Sequence, residues 1–300
     1  MSRVILRERI RQDVFLLDGA MGTQLFARGV EPGSCNELLN VTSPDLVLEV
    51  HNAYFEAGCD AVLTNTFGAN RYTLVRHGCA DRTFEINKAG AELARRAAGG
   101  DRYVLGDIGP TGDFLEPIGS LRAERVTEVF TEQANGLRLG GVDGFIIETM
   151  TALDELELAV KAVKEAGGGL PVFASMSFDK GGAGFRTMMG VDVPTAVSKM
   201  LSLGVDVVGF NCGTAALGEY VELSKAYVAA VRSCGQNTLV FAEPNAGKPA
   251  LVDGQTIYQV TPKEFAAACR KIVDAGIHIL GGCCGTGPQH ILAVAEVLRR

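Results

Sequence analysis

Three cysteines stand where sulfur or metal chemistry explains them better than packing does. Cys283 and Cys284 are adjacent in ILGGCCGTGP, and Cys212 closes the run VVGFNC. Successive side chains of a strand point to opposite faces, so two neighbouring buried cysteines do not follow from a core role. Gly281, Gly282 and Gly285 leave the backbone free to turn there, which lets both sulfurs face one ion. Three thiolates with an open fourth position describe a catalytic zinc site, since structural sites are normally closed by four protein ligands. Three thiolates on Zn2+ carry a net charge of about −1, and a substrate thiolate in the fourth place brings it to about −2. A coordinated thiol loses its proton at neutral pH. An electron-rich ligand set keeps that sulfur nucleophilic, so the site suits alkylation of a thiol better than hydrolysis. Spacing alone leaves two other readings open, unliganded thiols and a vicinal redox pair, and neither pairing forms a CxxC.

Other residues could serve an amino-acid substrate. In DGAMGTQL (18–25) the small residues Gly19, Ala20 and Gly22, with Met21, let successive amides approach an anion such as a carboxylate. An ordinary strand-to-helix turn is the competing reading. Asp18 and Glu148 end apolar runs and could accept hydrogen bonds from an ammonium group; local capping, or an ion pair with Arg186, is the alternative. Together, an anion nest, carboxylates and a thiol-binding metal describe an α-amino acid with a thiol side chain. His51, on a helical stretch, and His77, in a loop, read as packing or surface, and His278 carries little signal. His290 either supports a ligand from behind or caps the last helix. Cys59 and Cys269 fall on helical stretches and read as small apolar side chains. Cys35, Cys79 and Cys234 are read as packing or surface thiols.

These residues need elements to bring them together, and the chain shows a strand-helix alternation repeated eight times. Strand-length apolar runs lie at 14–19, 61–66, 103–109, 144–149, 171–178, 207–212, 239–245 and 277–284. They are near-continuous in Val, Ile, Leu and Phe, as strands buried on both faces should be. Amphipathic stretches follow, among them SPDLVLEVHNAYFEAG, where Ser43 is expected to cap and Pro44 to fill the first turn. Eight such units in 300 residues predict a (β/α)8 TIM barrel forming one domain over residues 1–300. An open doubly wound sheet is the runner-up, without the expected G-x-G-x-x-G. Barrel enzymes place their chemistry at the C-terminal strand ends. Those ends here are Asp18-Gly19, Asn65-Thr66, Asp107, Glu148-Thr149, Ser177, Asn211-Cys212, Glu243-Pro244-Asn245 and Cys283-Cys284. The glycine-rich loops 109–121 and 179–193 are expected on the same face.

Composition narrows the partners. With 28 basic against 35 acidic residues the net charge is −7, and no basic stripe is visible, which argues against nucleic acid and against an anionic membrane surface. No signal-peptide apolar core and no run of 18 apolar residues is present. The reading is therefore cytoplasmic, where eight cysteines point to metal binding or catalysis and not to a disulfide framework.

The segments DGAMGTQL, TNTFGAN, GDIGPTG, IIET, GFNC, EPNAG and GGCCGT, in this order, resemble the homocysteine S-methyltransferase family. The forms TNTFGAN and GPTG are most similar to the homocysteine-binding module of cobalamin-dependent methionine synthase. The resemblance implies a zinc-dependent barrel that methylates the sulfur of homocysteine to give methionine. It implies Cys212, Cys283 and Cys284 as zinc ligands, with Asn211 approaching the metal when substrate is absent. The backbone of Gly19, Ala20, Met21 and Gly22 would hold the substrate carboxylate, and Asp18 and Glu148 would orient the substrate or its ammonium. No D-x-H-x-x-G cobalamin signature and no second barrel is found in the chain, so the methyl donor is expected from outside it. A separate methyl-corrinoid protein, with methylcobalamin docking at the barrel mouth, is favoured; S-methylmethionine or betaine is the alternative, and the chain is also readable as a module of a longer protein. Two rival functions are a lyase or aldolase using Asp18, Glu148 or Lys248, and a non-enzymatic zinc or thiol-redox sensor. No lysine closes a strand run, which counts against Schiff-base chemistry.

Overall fold

The apolar runs become eight parallel strands: β1 (Phe15–Leu16), β2 (Ala61–Leu63), β3 (Tyr103–Ile108), β4 (Gly144–Met150), β5 (Val172–Met176), β6 (Val207–Asn211), β7 (Leu239–Glu243) and β8 (Ile279–Leu280). The structure is a computed structural model describing residues 3–252 and 255–299. Hydrogen-bonded order runs β1-β8-β7-β6-β5-β4-β3-β2, and the two ends meet. At that seam the Asp60 N–H donates to Leu16 O (2.6 Å), the Leu16 N–H to Asp60 Oδ2 (2.8 Å) and the Leu63 N–H to Asp18 Oδ2 (3.1 Å). The eight-fold repeat is thus a (β/α)8 barrel, with main helices α1 (Pro44–Glu56), α2 (Thr83–Ala98), α3 (Ala123–Leu139), α4 (Leu153–Ala166), α5 (Val193–Ser202), α6 (Leu217–Ser233), α7 (Pro262–Asp274) and α8 (Pro288–Leu298).

Strand alternation divides the core into two layers. Phe15, Leu17, Ala61, Tyr103, Leu105, Ile146, Phe173, Val207, Phe241 and Ile279 form one cluster inside the barrel. Val62, Val104, Phe145, Ile147, Ala174, Val208, Val240 and Leu280 pack outward against the helices. Gly209 makes room inside, since a Cβ there would lie 2.2 Å from the Phe241 ring.

The N-terminal segment closes the lower end. Leu6 and Ile10 join the interior cluster. Around them Arg3, Arg7 and Arg9 pair with Asp143, Asp206 and Asp60, the residues preceding β4, β6 and β2. Each aspartate also accepts the N–H of a neighbouring strand start, Val104, Val172 and Leu16 respectively. This face is built for stability and leaves chemistry to the other.

Several local expectations are corrected. Regular pairing in β1 and β8 covers two residues each, because the chain turns out of the ladder to present Asp18 and the cysteine pair. Ser43 occupies the N-cap position of α1 with φ −144° and ψ 56°, and its side chain makes no capping bond. Cys59 lies beyond the end of α1, in the turn before β2, and is fully buried. Loop 179–193 holds a small antiparallel hairpin, Asp179–Gly181 with Gly184–Arg186. A second hairpin, Ala250–Val252 with Gln255–Ile257, follows β7.

Candidate metal and substrate site

Continuing the inward register past the apolar layer gives the site. Two residues beyond Leu105, Ile146, Phe173 and Phe241 stand Asp107, Glu148, Ser175 and Glu243, and β6 supplies Asn211 two beyond Gly209. All five are buried. They form a polar layer above the apolar one, at the C-terminal mouth.

Asn211 is the hub of that layer. Its Nδ2 donates to Glu148 Oε2 (2.6 Å) and to Thr149 Oγ1 (2.6 Å). Its Oδ1 accepts from the Thr149 N–H (2.8 Å) and from the Ser175 hydroxyl (2.7 Å). Nδ2 also lies 3.9 Å from Cys283 Sγ. The amide nitrogen therefore faces the sulfurs, and the amide oxygen is held by two donors. Thr149 takes a left-handed φ of 61°, a conformation that costs a β-branched residue energy and persists only when its surroundings impose it.

The three cysteines converge. The Sγ atoms of Cys212, Cys283 and Cys284 all lie within 4.8 Å of one another. Cys212 and Cys284 are 3.9 Å apart, as are Cys283 and Cys284. Sulfurs at about 2.3 Å around one tetrahedral ion stand about 3.8 Å apart, so the trio fits a zinc ion and leaves one position for a further ligand. Backbone conformation aims them. Cys212 has φ 55° and Gly213 φ 81°, which breaks strand alternation after Asn211 and turns the Cys212 side chain into the mouth. Gly213 is required there, because a Cβ would lie 2.2 Å from Phe178 O. Buried Tyr220 donates its hydroxyl to Cys212 O (2.8 Å). The Cys283 N–H donates to Pro244 O (2.9 Å), the Ala246 N–H to Cys284 O (2.9 Å), and the Thr286 hydroxyl to Cys283 O (2.6 Å). Hydrogen bonds from Cys212, then Cys283, bring the Cys284 thiol down to about 3, while bonds to Cys212 and Cys284 push Cys283 up.

Four carboxylic acids line the mouth: Asp18, Asp107, Glu148 and Glu243. Burial is the largest cause raising each, and neighbouring acids add to it for Asp18, Asp107 and Glu243. Glu148 is pushed up to about 8, by burial and then by Cys284. Among the described residues no basic side chain is a leading cause of the shift at any of the four. Among the described residues, Asp107 Oδ1 and Glu243 Oε2 are buried with no hydrogen-bond partner. The pocket therefore suits a cationic group, which would offset the cost of burying charge. Beside it, the segment after β1 begins a short helix, Met21–Phe26. The Ala20 N–H donates to Thr286 Oγ1 (3.2 Å), and Tyr54 donates to Ala20 O (3.0 Å).

The structure thus gathers Asp18, Glu148, Asn211 and the three cysteines at one mouth. Arg186 pairs with Asp192 and Lys248 with Glu219, away from the acids. His290 caps: its Nδ1 accepts the Gly287 N–H (3.2 Å), and Nε2 bonds Val260 O (3.0 Å). His51 is fully buried on α1. Asp107 and Glu243, noted only as strand ends, join the site, and their inward register was the signal that identified them. Ser175 is inward where Ser177 had been read as the strand end. Nothing local in the sequence marks Tyr220.

The sequence profile of the family described as homocysteine S-methyltransferase matches residues 15–298. The methionine synthase of Mycobacterium tuberculosis is 37% identical over 314 positions, covering 98% of this chain and 25% of that protein. The methionine synthase of Mycobacterium leprae is 37% identical over 317 positions, with the same coverage. The chain spans about a quarter of the length of these relatives. Among solved structures, the metallated form of the homocysteine methyltransferase MmuM from Escherichia coli is similar with TM-score 0.75 and 22% identity, covering 97% of this chain and 98% of that one. Its oxidized form gives 0.73 and 23%, covering 95% and 96%. At this identity the likeness speaks for the fold. Among the described residues no helix is long and apolar enough to cross a membrane.

Proposed function

Because the chain belongs to the homocysteine S-methyltransferase family, we propose that it transfers a methyl group to the sulfur of homocysteine, giving methionine, with Cys212, Cys283 and Cys284 as ligands of a zinc ion. One observation carries the reading: three sulfurs at tetrahedral spacing at the mouth of the barrel. Bound zinc would supply Lewis acidity, favouring the thiolate form of an incoming thiol at neutral pH.

The chain's own groups do the positioning. Asp18 and Glu148 receive the substrate ammonium, with Asp107 and Glu243 behind them. The amides of Gly19, Met21 and Gly22 receive the carboxylate; that of Ala20 is engaged by Thr286. Asn211 fixes Glu148 and faces Cys283, linking the ammonium pocket to the sulfur centre. Held at both ends, the amino acid presents its sulfur toward the mouth, which lowers the entropic part of a bimolecular barrier. The favoured donor is a methyl-corrinoid carried outside this chain. Its support is the similarity to methionine synthases of which the chain spans a quarter. The reaction takes place in the cytoplasm.

The test measures bound metal and methionine formed from homocysteine with methylcobalamin, a methylated corrinoid protein, S-methylmethionine or betaine. One zinc per chain, lost in Cys212→Ser and Cys283→Ser, with methionine from at least one donor, is the expected result. Metal-free protein with a reversible Cys283–Cys284 disulfide, and no methionine from any donor, overturns the proposal.

A further inference from the structure

We infer that Asn245 is a positioning residue of the sulfur centre: with Tyr220 it grips the Cys212–Gly213 backbone and so holds Cys212 against the Cys283–Cys284 pair. The inference deepens the metal-centre reading above and rests on it.

The three cysteines follow two strands that are not neighbours in the sheet. β6 ends at Asn211 and β8 at Leu280, and β7 lies between them. The separation of Cys212 from the cysteine pair is therefore set by the segment that continues β7, Glu243-Pro244-Asn245-Ala246. On one side of it the Cys283 N–H donates to Pro244 O (2.9 Å) and the Ala246 N–H to Cys284 O (2.9 Å). On the other side the Cys212 N–H donates to Glu243 O (3.2 Å), and Asn245 Nδ2 donates to Gly213 O (2.7 Å). The main chain of the segment thus reaches the pair twice and Cys212 once. The Asn245 side chain supplies the second tie on the Cys212 side.

That tie falls where the backbone is strained. Cys212 has φ 55°, a left-handed conformation that a residue with a Cβ keeps only when its surroundings impose it. In extended backbone its side chain would alternate with that of Asn211 and face the helices instead of the mouth. Two donors hold the turn open. Cys212 O accepts the Tyr220 hydroxyl (2.8 Å), and Gly213 O accepts Asn245 Nδ2 (2.7 Å). The donors are themselves joined, since the Asn245 N–H donates to the Tyr220 hydroxyl oxygen (3.4 Å). Tyr220 is fixed from α6, its ring stacked on Phe210 with centroids 6.5 Å apart and planes at 8°.

Asn245 is buried, and among the described residues its Oδ1 has no hydrogen-bond partner. A buried amide with one end unsatisfied costs stability that an apolar side chain of similar size would not. Packing therefore does not account for Asn245, whereas its bond to Gly213 O does.

The experiment loads Co2+ in place of Zn2+ and records the thiolate-to-cobalt charge-transfer band and the cobalt affinity of wild type, Cys212→Ser, Asn245→Leu and Tyr220→Phe. Asn245→Leu keeps the volume, Tyr220→Phe keeps the stacked ring, and each removes one donor. Both are expected to bind cobalt about 10–100-fold more weakly than wild type, with the band reduced toward that of Cys212→Ser. A role in stability alone would lower the unfolding free energy and leave the band of the cobalt-loaded protein unmoved. An Asn245→Leu band that superimposes on wild type overturns the inference and leaves the metal centre standing; should that variant not fold, an unmoved Tyr220→Phe band does the same. A wild-type protein that binds no cobalt overturns the metal centre, and the inference with it.

Discussion

Replacing Asn211 by alanine tests whether the polar layer of the barrel is one cooperative unit. The amide makes four hydrogen bonds, the two to Thr149 partly buried and those to Glu148 and Ser175 buried, at 2.6–2.8 Å. At about 1 kcal/mol each the bonds amount to about 4 kcal/mol. Two opposing effects modify this. The Thr149 N–H and Ser175 hydroxyl lose their acceptor in a buried place, which adds cost. Thr149 can relax from its left-handed φ of 61°, returning about 1 kcal/mol or more. The expected loss is therefore about 3–5 kcal/mol, a large part of the total stability of a domain. The assay is urea unfolding of metal-free Asn211→Ala against metal-free wild type, so that metal affinity does not enter the comparison. In a second measurement, zinc competition with a chelator, the variant should bind about 10–100-fold more weakly, since Cys283 and Glu148 lose their common anchor. An unfolding free energy within about 1 kcal/mol of wild type would refute the reasoning, because four bonds of ordinary strength, two of them buried, cannot vanish at so small a cost.

Two further outcomes follow from residues away from the mouth. His51 is fully buried, and burial lowers it to about 4. In the unfolded chain it titrates near 6.5, so between these values the unfolded state binds a proton the folded state does not. Stability is complete above about pH 6.5 and falls as pH drops toward 4, by about 3 kcal/mol from this residue alone. His51→Leu should remove that part of the slope in urea titrations at pH 4.5 and 7.5, and an unchanged slope would show that His51 takes up its proton equally in the folded and unfolded chains. At the lower face, Asp143→Ala strands Arg3, Arg95 and the Val104 N–H. It should cost about 3 kcal/mol in thermal or urea unfolding while leaving zinc stoichiometry at the opposite end unaltered; loss of zinc from a folded variant would mean the two ends are coupled.

Legibility in the sequence follows from which interactions are local. The barrel was readable because a strand buried on both faces is an apolar run whatever it pairs with, and eight of them alternate with helical stretches. Asn211, Glu148 and the cysteines were readable because they interrupt such runs at their ends. Where the chain departs from a regular ladder, the cause lies in distant residues. Ser43 sits at a helix start, yet its backbone torsions carry its side chain away from the first amides. Cys212 points into the mouth because Gly213 passes beside Phe178 O, and Tyr220, eight residues on, holds the Cys212 carbonyl. Tyr258 is the extreme case. Its ring lies against Gly285 because a backbone bond between Ala246 and Cys284 and a histidine on α8 fold its segment back. The same distinction separates the parts of the site. Groups that carry charge toward a ligand end strands and show as breaks in hydrophobic pattern. Groups that hold those charges in place are ordinary tyrosines, threonines and glycines, whose role exists only once the barrel has closed. A substitution at the first kind should change chemistry in proportion to the charge it removes. At the second kind it should act through geometry, which is why Asn211→Ala probes the site more finely than loss of a ligand does.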